Sequence, residues 1–409
     1  MQLTQNNRLA LAAAGLMAAT NAASVSAADW DHEAAVLYYG ETDDRVQDGS
    51  LKYQGTRTTD SDKKLTINAG IDTLTGASPN GVAPSTTAQT ITSPSGNGTI
   101  THPAGELPLD DTFKDTRVSL SANWDQPLNA DSRSNVGISF SKEYDYLHFG
   151  VSGGLSKTLN DKNTTLSVGL AYAADSVEAV GNAPIPFSDG SATKGASSED
   201  KNTLDGMIGL TQVLSKNSLL QLNYSVSVAD GYLNDPYKWV SRVDASGTII
   251  ENLHESRPDS RTGHNLYAAL KHTVSNKHVV TGSARLHTDD WGIDSVTLDT
   301  KYRIDLGNKK SIEPHIRYYH QGAADFYTAQ LDATAALPAN ASADYRLAEF
   351  AAYTLGATYR WKGNKNRDWR ITGEYYTQDP TNVELTPGQA SLDANPGFDA
   401  LMLSAGVKF

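Results

Sequence analysis

The sequence predicts an all-β chain closed into a single transmembrane antiparallel β-barrel of about 16 strands, with short periplasmic turns and long extracellular loops. Three observations predict it. Apolar and polar residues alternate with a period of two in segment after segment. The connections between those segments alternate between short and long. The stretch 398–409 (FDALMLSAGVKF) sets Leu401, Leu403, Ala405, Val407 and Phe409 on one face, and Met402, Ser404, Gly406 and Lys408 on the other. It ends on an aromatic residue, as outer-membrane barrels usually do.

In chain order, residues 1–28 read as a secretory leader: Arg8, a small apolar run over 9–19, then small residues at Ser26, Ala27 and Ala28. The mature chain is expected to start near Asp29 and to form one barrel domain over 29–409. Alternation follows at Leu65, Ile67, Ala69 and Ile71, at Val118, Leu120, Ala122 and Trp124, and at Leu166, Val168, Leu170 and Tyr172. It returns at Leu220, Leu222, Tyr224, Val226 and Val228, at Val296, Leu298, Thr300, Tyr302 and Ile304, and at Tyr353, Leu355, Ala357, Tyr359 and Trp361. Residues two apart share one face of a strand, so each set defines an apolar face. Short polar turns are expected near 58–62, 158–163, 215–217, 275–277, 307–310 and 362–367. Long loops rich in Gly, Pro, Asp and Ser are expected near 73–112, 176–202, 231–260, 322–344 and 379–396. Closure of the barrel leaves no sheet edge exposed to lipid. Aromatic residues near strand ends are expected to form interfacial girdles: Trp30, Tyr38, Tyr39, Trp124, Tyr144, Tyr146, Tyr172, Trp239, Trp291, Tyr302, Tyr359, Trp361, Trp369 and Tyr375.

Composition narrows the function classes. No apolar run after residue 28 approaches the ~18 residues that a membrane-crossing helix needs. The chain has no cysteine, which excludes disulfides and thiolate metal sites. Loss of the leader removes Arg8 and no acid, so a net charge of −13 becomes −14. An acidic chain without a basic stripe speaks against nucleic acid as a partner. No GxSxG elbow is present. Ser283 and His287 share a face but stand four residues apart, roughly 13 Å along a strand, so they form no catalytic pair. No enzymatic activity is expected. His315 and His320 point to opposite faces of one strand, and no cofactor or metal is assigned.

Several motifs stand out along the chain: LYYGETDDR at 37–45, DTLTGASPNG at 72–81, GELPLDDTFKDTR at 105–117, SKEYDY at 141–146 and GYLNDPYK at 231–238. They continue with ESRPDSR at 255–261, TDDWGIDS at 288–295, PHIRYY at 314–319, AADFY at 323–327 and SADYRLAEF at 342–350. In these the chain resembles, in order and over nearly its whole mature length, the proteobacterial family catalogued as domain of unknown function 3570. The resemblance implies a secreted, outer-membrane β-barrel and assigns no activity.

On the strand ladder, charged residues alternate toward the interior. They are Asp115, Arg117, Glu143, Arg285, His287, Asp289, Asp299, Arg303, Glu313, His315, Arg317, Arg346 and Glu374. Inward placement is the cheaper assignment, since a lipid-facing Arg or Lys at mid-bilayer costs ~2–4 kcal/mol. Interleaved acids and arginines either line a constriction that sorts solutes or brace the wall. The expectation is a porin-like outer-membrane channel for small hydrophilic solutes; the alternative is a structural barrel plugged by loop 73–112 that binds an envelope partner. Further expected partners are outer-membrane lipid and the barrel-assembly machinery, engaged through the last strand and Phe409.

Overall fold

A computed structural model describes residues 30–43, 45–92, 99–110, 114–190, 195–364 and 367–409. The leader over 1–28, the expected start at Asp29 and parts of the first two long loops lie outside the described residues. Among these, sixteen strands close into one antiparallel barrel. They are β1 (Trp30–Glu41), β2 (Gln47–Thr58), β3 (Lys64–Thr75), β4 (Lys114–Pro127), β5 (Ser132–Lys142), β6 (Tyr146–Leu159), β7 (Thr164–Val177) and β8 (Glu199–Ser215). There follow β9 (Ser218–Gly231), β10 (Ser260–Ser275), β11 (His278–Asp289), β12 (Asp294–Gly307), β13 (Lys310–Gln321), β14 (Phe350–Lys362), β15 (Asp368–Pro380) and β16 (Phe398–Lys408).

Neighbours in sequence pair throughout, and β1 pairs with β16 to close the ring, with Ala34 opposite Val407 and Val36 opposite Ala405. Phe409 extends the seam. Its N–H donates to the His32 carbonyl at 2.9 Å, the His32 N–H donates back to the Phe409 carbonyl at 3.0 Å, and the two rings stack at 5.5 Å. Every backbone group along the seam thereby finds a partner inside the sheet, which a hydrocarbon surrounding demands.

The short turns stand where the sequence places them, with one more over 128–131. That turn lacks glycine and is built on Pro127, Asn129 and Asp131, with the Asp131 N–H donating to Asn129 Oδ1 at 2.9 Å. Between β12 and β13, Asn308 and Lys309 adopt φ of 52° and 59°, the left-handed pair of a two-residue type I′ hairpin. The strands overrun the expected loops by one to four residues at six of the ten ends, and the last stretch before β14 is loop up to Glu349.

The alternation sorts by face. Val118, Leu120, Val136, Ile138, Val151, Leu166, Leu170, Ile208, Leu266, Leu298, Ile316 and Leu355 are all exposed on the outer wall, a continuous apolar band. Two apolar cores instead lie at the loop end. In one, Trp239, 4% exposed, stacks on His254 at 3.9 Å beside Val82, Ile91 and Ile249. In the other, Trp291 packs with Ile293, Ala324 and Leu347. These cores hold together a cap folded from the long loops. Its backbone includes a three-stranded sheet of Trp239–Val243, Ile249–His254 and Leu331–Asp332, and two small ribbons, Ser78–Pro79 with Leu109–Asp110 and Gln89–Thr92 with Thr99–His102.

The cap corrects part of the girdle expectation. Trp239 and Trp291 serve its interior, and Tyr39 and Tyr146 turn inward to donate hydrogen bonds to Glu41 at 2.7 Å and Asp175 at 2.6 Å. An aromatic cluster does form at the short-turn end, where Tyr359, Trp361 and Trp369 stack in series. The described part of loop 73–112 is bound into the cap. The Asn80 carbonyl accepts from Trp239 N–H at 2.8 Å, Ala83 N–H donates to Ser241 Oγ at 2.9 Å, and the Pro84 carbonyl accepts from Gln389 Nε2 at 2.8 Å. Gly81 makes the docking feasible: its φ is +89°, and a Cβ there would run into the Trp239 carbonyl.

Candidate functional site: the charged lumen

Because residues two apart share a face, each outward apolar residue fixes its neighbours as inward. Leu298 and Ile316 on the outside place Asp299, Arg303, Glu313, His315 and Arg317 inside; Leu286 places Arg285, His287 and Asp289 inside; Ile371 and Tyr375 place Glu374 inside. Asp115 and Arg117 face inward on β4 by the same rule. The two remaining expected residues are not on strands. Glu143 sits in the tight turn between β5 and β6, and Arg346 lies in the short 3-10 helix Tyr345–Leu347 of the cap. Parity has no meaning in a loop, so it located neither.

These residues form three groups down the lumen. At the mouth, Asp115, Glu143 and Asp145 bring carboxylate oxygens within 4.8 Å of one another, a group of the kind that holds a hard cation. Burial, then the neighbouring Asp115, pushes the Glu143 carboxyl up to about 7. Burial also raises Asp145, which accepts a short hydrogen bond from Tyr237 of the cap. Arg117 joins the group to β3, pairing with Asp72 at 3.0 Å and Glu143 at 3.8 Å. Across the mouth, His287 reaches Asn265 at 3.1 Å and Asp289 at 3.2 Å. Asp289 also pairs with Arg261, which lies over the Trp291 ring at 4.5 Å.

In mid-lumen His315, 5% exposed, is clamped by both ring nitrogens: Nε2 meets Asp299 at 2.7 Å and Nδ1 meets Glu374 at 2.7 Å. Arg317 Nε donates to Asp299 at 2.9 Å, so four expected residues from β12, β13 and β15 form one network. Arg285 lies 5.8 Å over the Tyr267 ring. At the short-turn end, Glu313 pairs with Arg360 at 3.1 Å, and Arg303 stands one inward step below Lys301.

Three cavities correspond to these groups. A space of about 720 Å³ under the cap is lined by Asp115, Glu143, Asn265 and His287. Another of about 670 Å³ is lined by Tyr267, Arg285, Asp299, Lys301 and Arg317. A third of about 380 Å³ is lined by Arg303, Asp305, Arg360 and Arg370. Successive inward positions lead from one to the next: Asn265 to Tyr267 on β10, His287 to Arg285 on β11, and Lys301 to Arg303 on β12. Ser283 and His287 line different cavities, which keeps them apart as their spacing requires. The facing wall is lined by small polar residues, among them Ser139, Ser152, Ser167, Asn223 and Ser225, with Gly137, Gly150 and Gly209 between them.

The cap roof is a buried charge network that sequence reasoning did not find. Arg257 pairs with Glu255 at 2.6 Å and Asp344 at 2.8 Å, and Arg346 pairs with Asp344 at 2.5 Å and with Asp235. Burial works to raise Asp344, but Arg346, Lys238 and Arg257 outweigh it and hold the carboxyl well below the usual range. Burial raises Glu255 to about 6 against the pull of Arg257. The available signal was the motif content of 231–238, 255–261 and 342–350, whose charges fit no strand pattern.

The family model described as "Protein of unknown function (DUF3570)" matches residues 6–409. No curated protein matches. Among solved structures the chain is similar to the siderophore receptor PirA from Acinetobacter baumannii, at 9% identity over 87% of this chain and 53% of that one, with a TM-score of 0.44. It is similar to CdiB from Acinetobacter baumannii, at 8% identity over 94% of this chain and 60% of that one, with a TM-score of 0.46. It is also similar to OccK5 (OpdH) from Pseudomonas aeruginosa, at 9% identity over 93% of this chain and 97% of that one, with a TM-score of 0.43. The chain thus spans about half to three-fifths of the length of the first two.

Proposed function

The chain belongs to the family described as Protein of unknown function (DUF3570), a description that assigns no activity, and we propose that it is an outer-membrane, porin-like channel for small hydrophilic solutes. One observation carries this reading: three polar cavities follow one another down the inside of β10–β14, from beneath the cap to the short-turn end. The apolar outer band suits a lipid surrounding and the charged inner wall suits water. The thirteen lumen and mouth residues then set size and charge preference.

Proteoliposome swelling tests it. Liposomes carrying the refolded barrel swell in isosmotic arabinose and do not swell in raffinose. Absence of swelling in both sugars, with the barrel folded, sinks the channel. The internally bonded cap favours a second reading, a barrel sealed by its loops that presents the cap to an envelope partner. Deleting the cap loops would then open a pore that the full chain lacks.

A further inference from the structure

The lower cavity concentrates positive charge in a chain that is otherwise acidic. Seven Lys or Arg against three Asp or Glu line it, although the whole chain carries 34 bases and 47 acids. Some of these bases are already paired: Arg360 with Glu313 at 3.1 Å, Arg370 with Glu33, and Lys362 with Asp368 at 3.9 Å. Arg303, Lys309 and Lys310 have no acidic partner within ion-pair distance among the described residues. Nη1 of Arg360 is shielded from solvent and has no hydrogen-bond partner. The Lys362 N–H donates to the Lys309 carbonyl at 3.2 Å, which ties the β12–β13 turn to β14 and fixes the cluster's shape. Positive charge continues one step above, where Arg285, Lys301 and Arg317 face Asp299 alone among acids lining the middle cavity.

Arg303 on β12, Lys309 in the turn and Lys310 at the start of β13 are exposed and uncompensated, and such a concentration of one sign of charge attracts counter-ions. The unpaired Arg303 guanidinium adds donors in the planar fork that matches oxyanions. We propose that this cavity binds a soluble oxyanion of the phosphate or carboxylate class, with Arg303, Lys309 and Lys310 as its donors. The inference rests on the channel reading for the ligand's route, and on the cavity alone for binding.

The test is calorimetric titration of inorganic phosphate into the folded protein in non-ionic detergent, at low salt. Phosphate binds saturably, and the triple variant Arg303→Gln, Lys309→Gln, Lys310→Gln weakens it at least tenfold. The variant Arg133→Gln, on the opposite wall where Arg133 is held by Asp62 and Asp125, leaves it unchanged. Folding of each variant is read from heat-modifiable gel migration. No binding by the parent barrel, or equal binding by the triple variant, overturns the site. Titration is repeated in phosphatidylcholine nanodiscs with and without phosphatidylglycerol. Equal affinity supports a soluble ligand, while loss only with phosphatidylglycerol assigns the cavity to a lipid headgroup and overturns the proposal. A barrel that binds phosphate but passes no sugar loses the channel and keeps the site; one that passes sugar and ignores phosphate loses only the site.

Discussion

Glu143 is the residue whose protonation most directly alters the mouth. Its carboxyl titrates near 7 because burial and Asp115 both oppose its charge. The folded value lies above the ordinary one of 4.5, so the folded mouth binds this proton more tightly than the unfolded chain. Stability from this group is therefore greatest below about 4.5, falls as pH rises through about 7, and is flat above that. On the channel reading, the same titration adds a negative charge to the entrance. Reversal potentials should move in the cation-preferring direction between pH 6 and 8, and Glu143→Gln should abolish that movement. His315 gives a second prediction at this scale. His315→Ala strands Asp299 and Glu374 on the inner wall and should cost about 1–3 kcal/mol, read from the urea midpoint of the folded gel species. A midpoint equal to the parent's would mean the clamp bears no stability.

At the scale of elements, the barrel strands were legible and the cap was not. Alternation at Leu298, Thr300 and Tyr302, or at Leu401, Leu403 and Ala405, has period two whether or not the partner strand is known. The inward residues follow by subtraction. The same subtraction yields Lys301, Arg360 and Arg370, which the sequence reading passed over although their neighbours Arg303 and Trp361 were already placed. Loops carry no such period. Trp239 and Trp291 looked like interfacial residues because their sequence neighbours end strands, yet contacts distant in sequence, from Val82 and Ala324, bury them. Buried ion pairs such as Arg257 with Asp344, 87 residues apart, are written in no local pattern. The cap makes its own predictions. Arg257→Met leaves Asp344 and Glu255 short of a cation in a buried place, a loss of about 3–5 kcal/mol confined to the cap. Hydrogen exchange should then rise over 232–259 and 322–349 while the strands stay protected. Gly81→Ala should release loop 73–112 by collision with Trp239, seen as new protease cleavage there; resistance equal to the parent's would show the loop is held elsewhere.

At the scale of the molecule, the lumen is lopsided. Strands β11–β15 carry arginines, acids and the histidine clamp, and β5–β9 face them mainly with serine, asparagine and glycine, among which stand Arg133, His148, Asp175 and Asp205. Small side chains leave width on one wall and the opposite ladder supplies field, the division of labour that the proposed channel would use. A mouth lined by equal numbers of acids and bases stands over a basic lower lumen, an uneven distribution that net charge alone conceals. The most direct test of the channel is single-channel conductance of the refolded protein in planar bilayers. A steady unitary conductance is expected, with a reversal potential that moves toward cation preference in Arg317→Gln and toward anion preference in Glu313→Gln. A folded, heat-modifiable barrel that stays electrically silent would contradict the account.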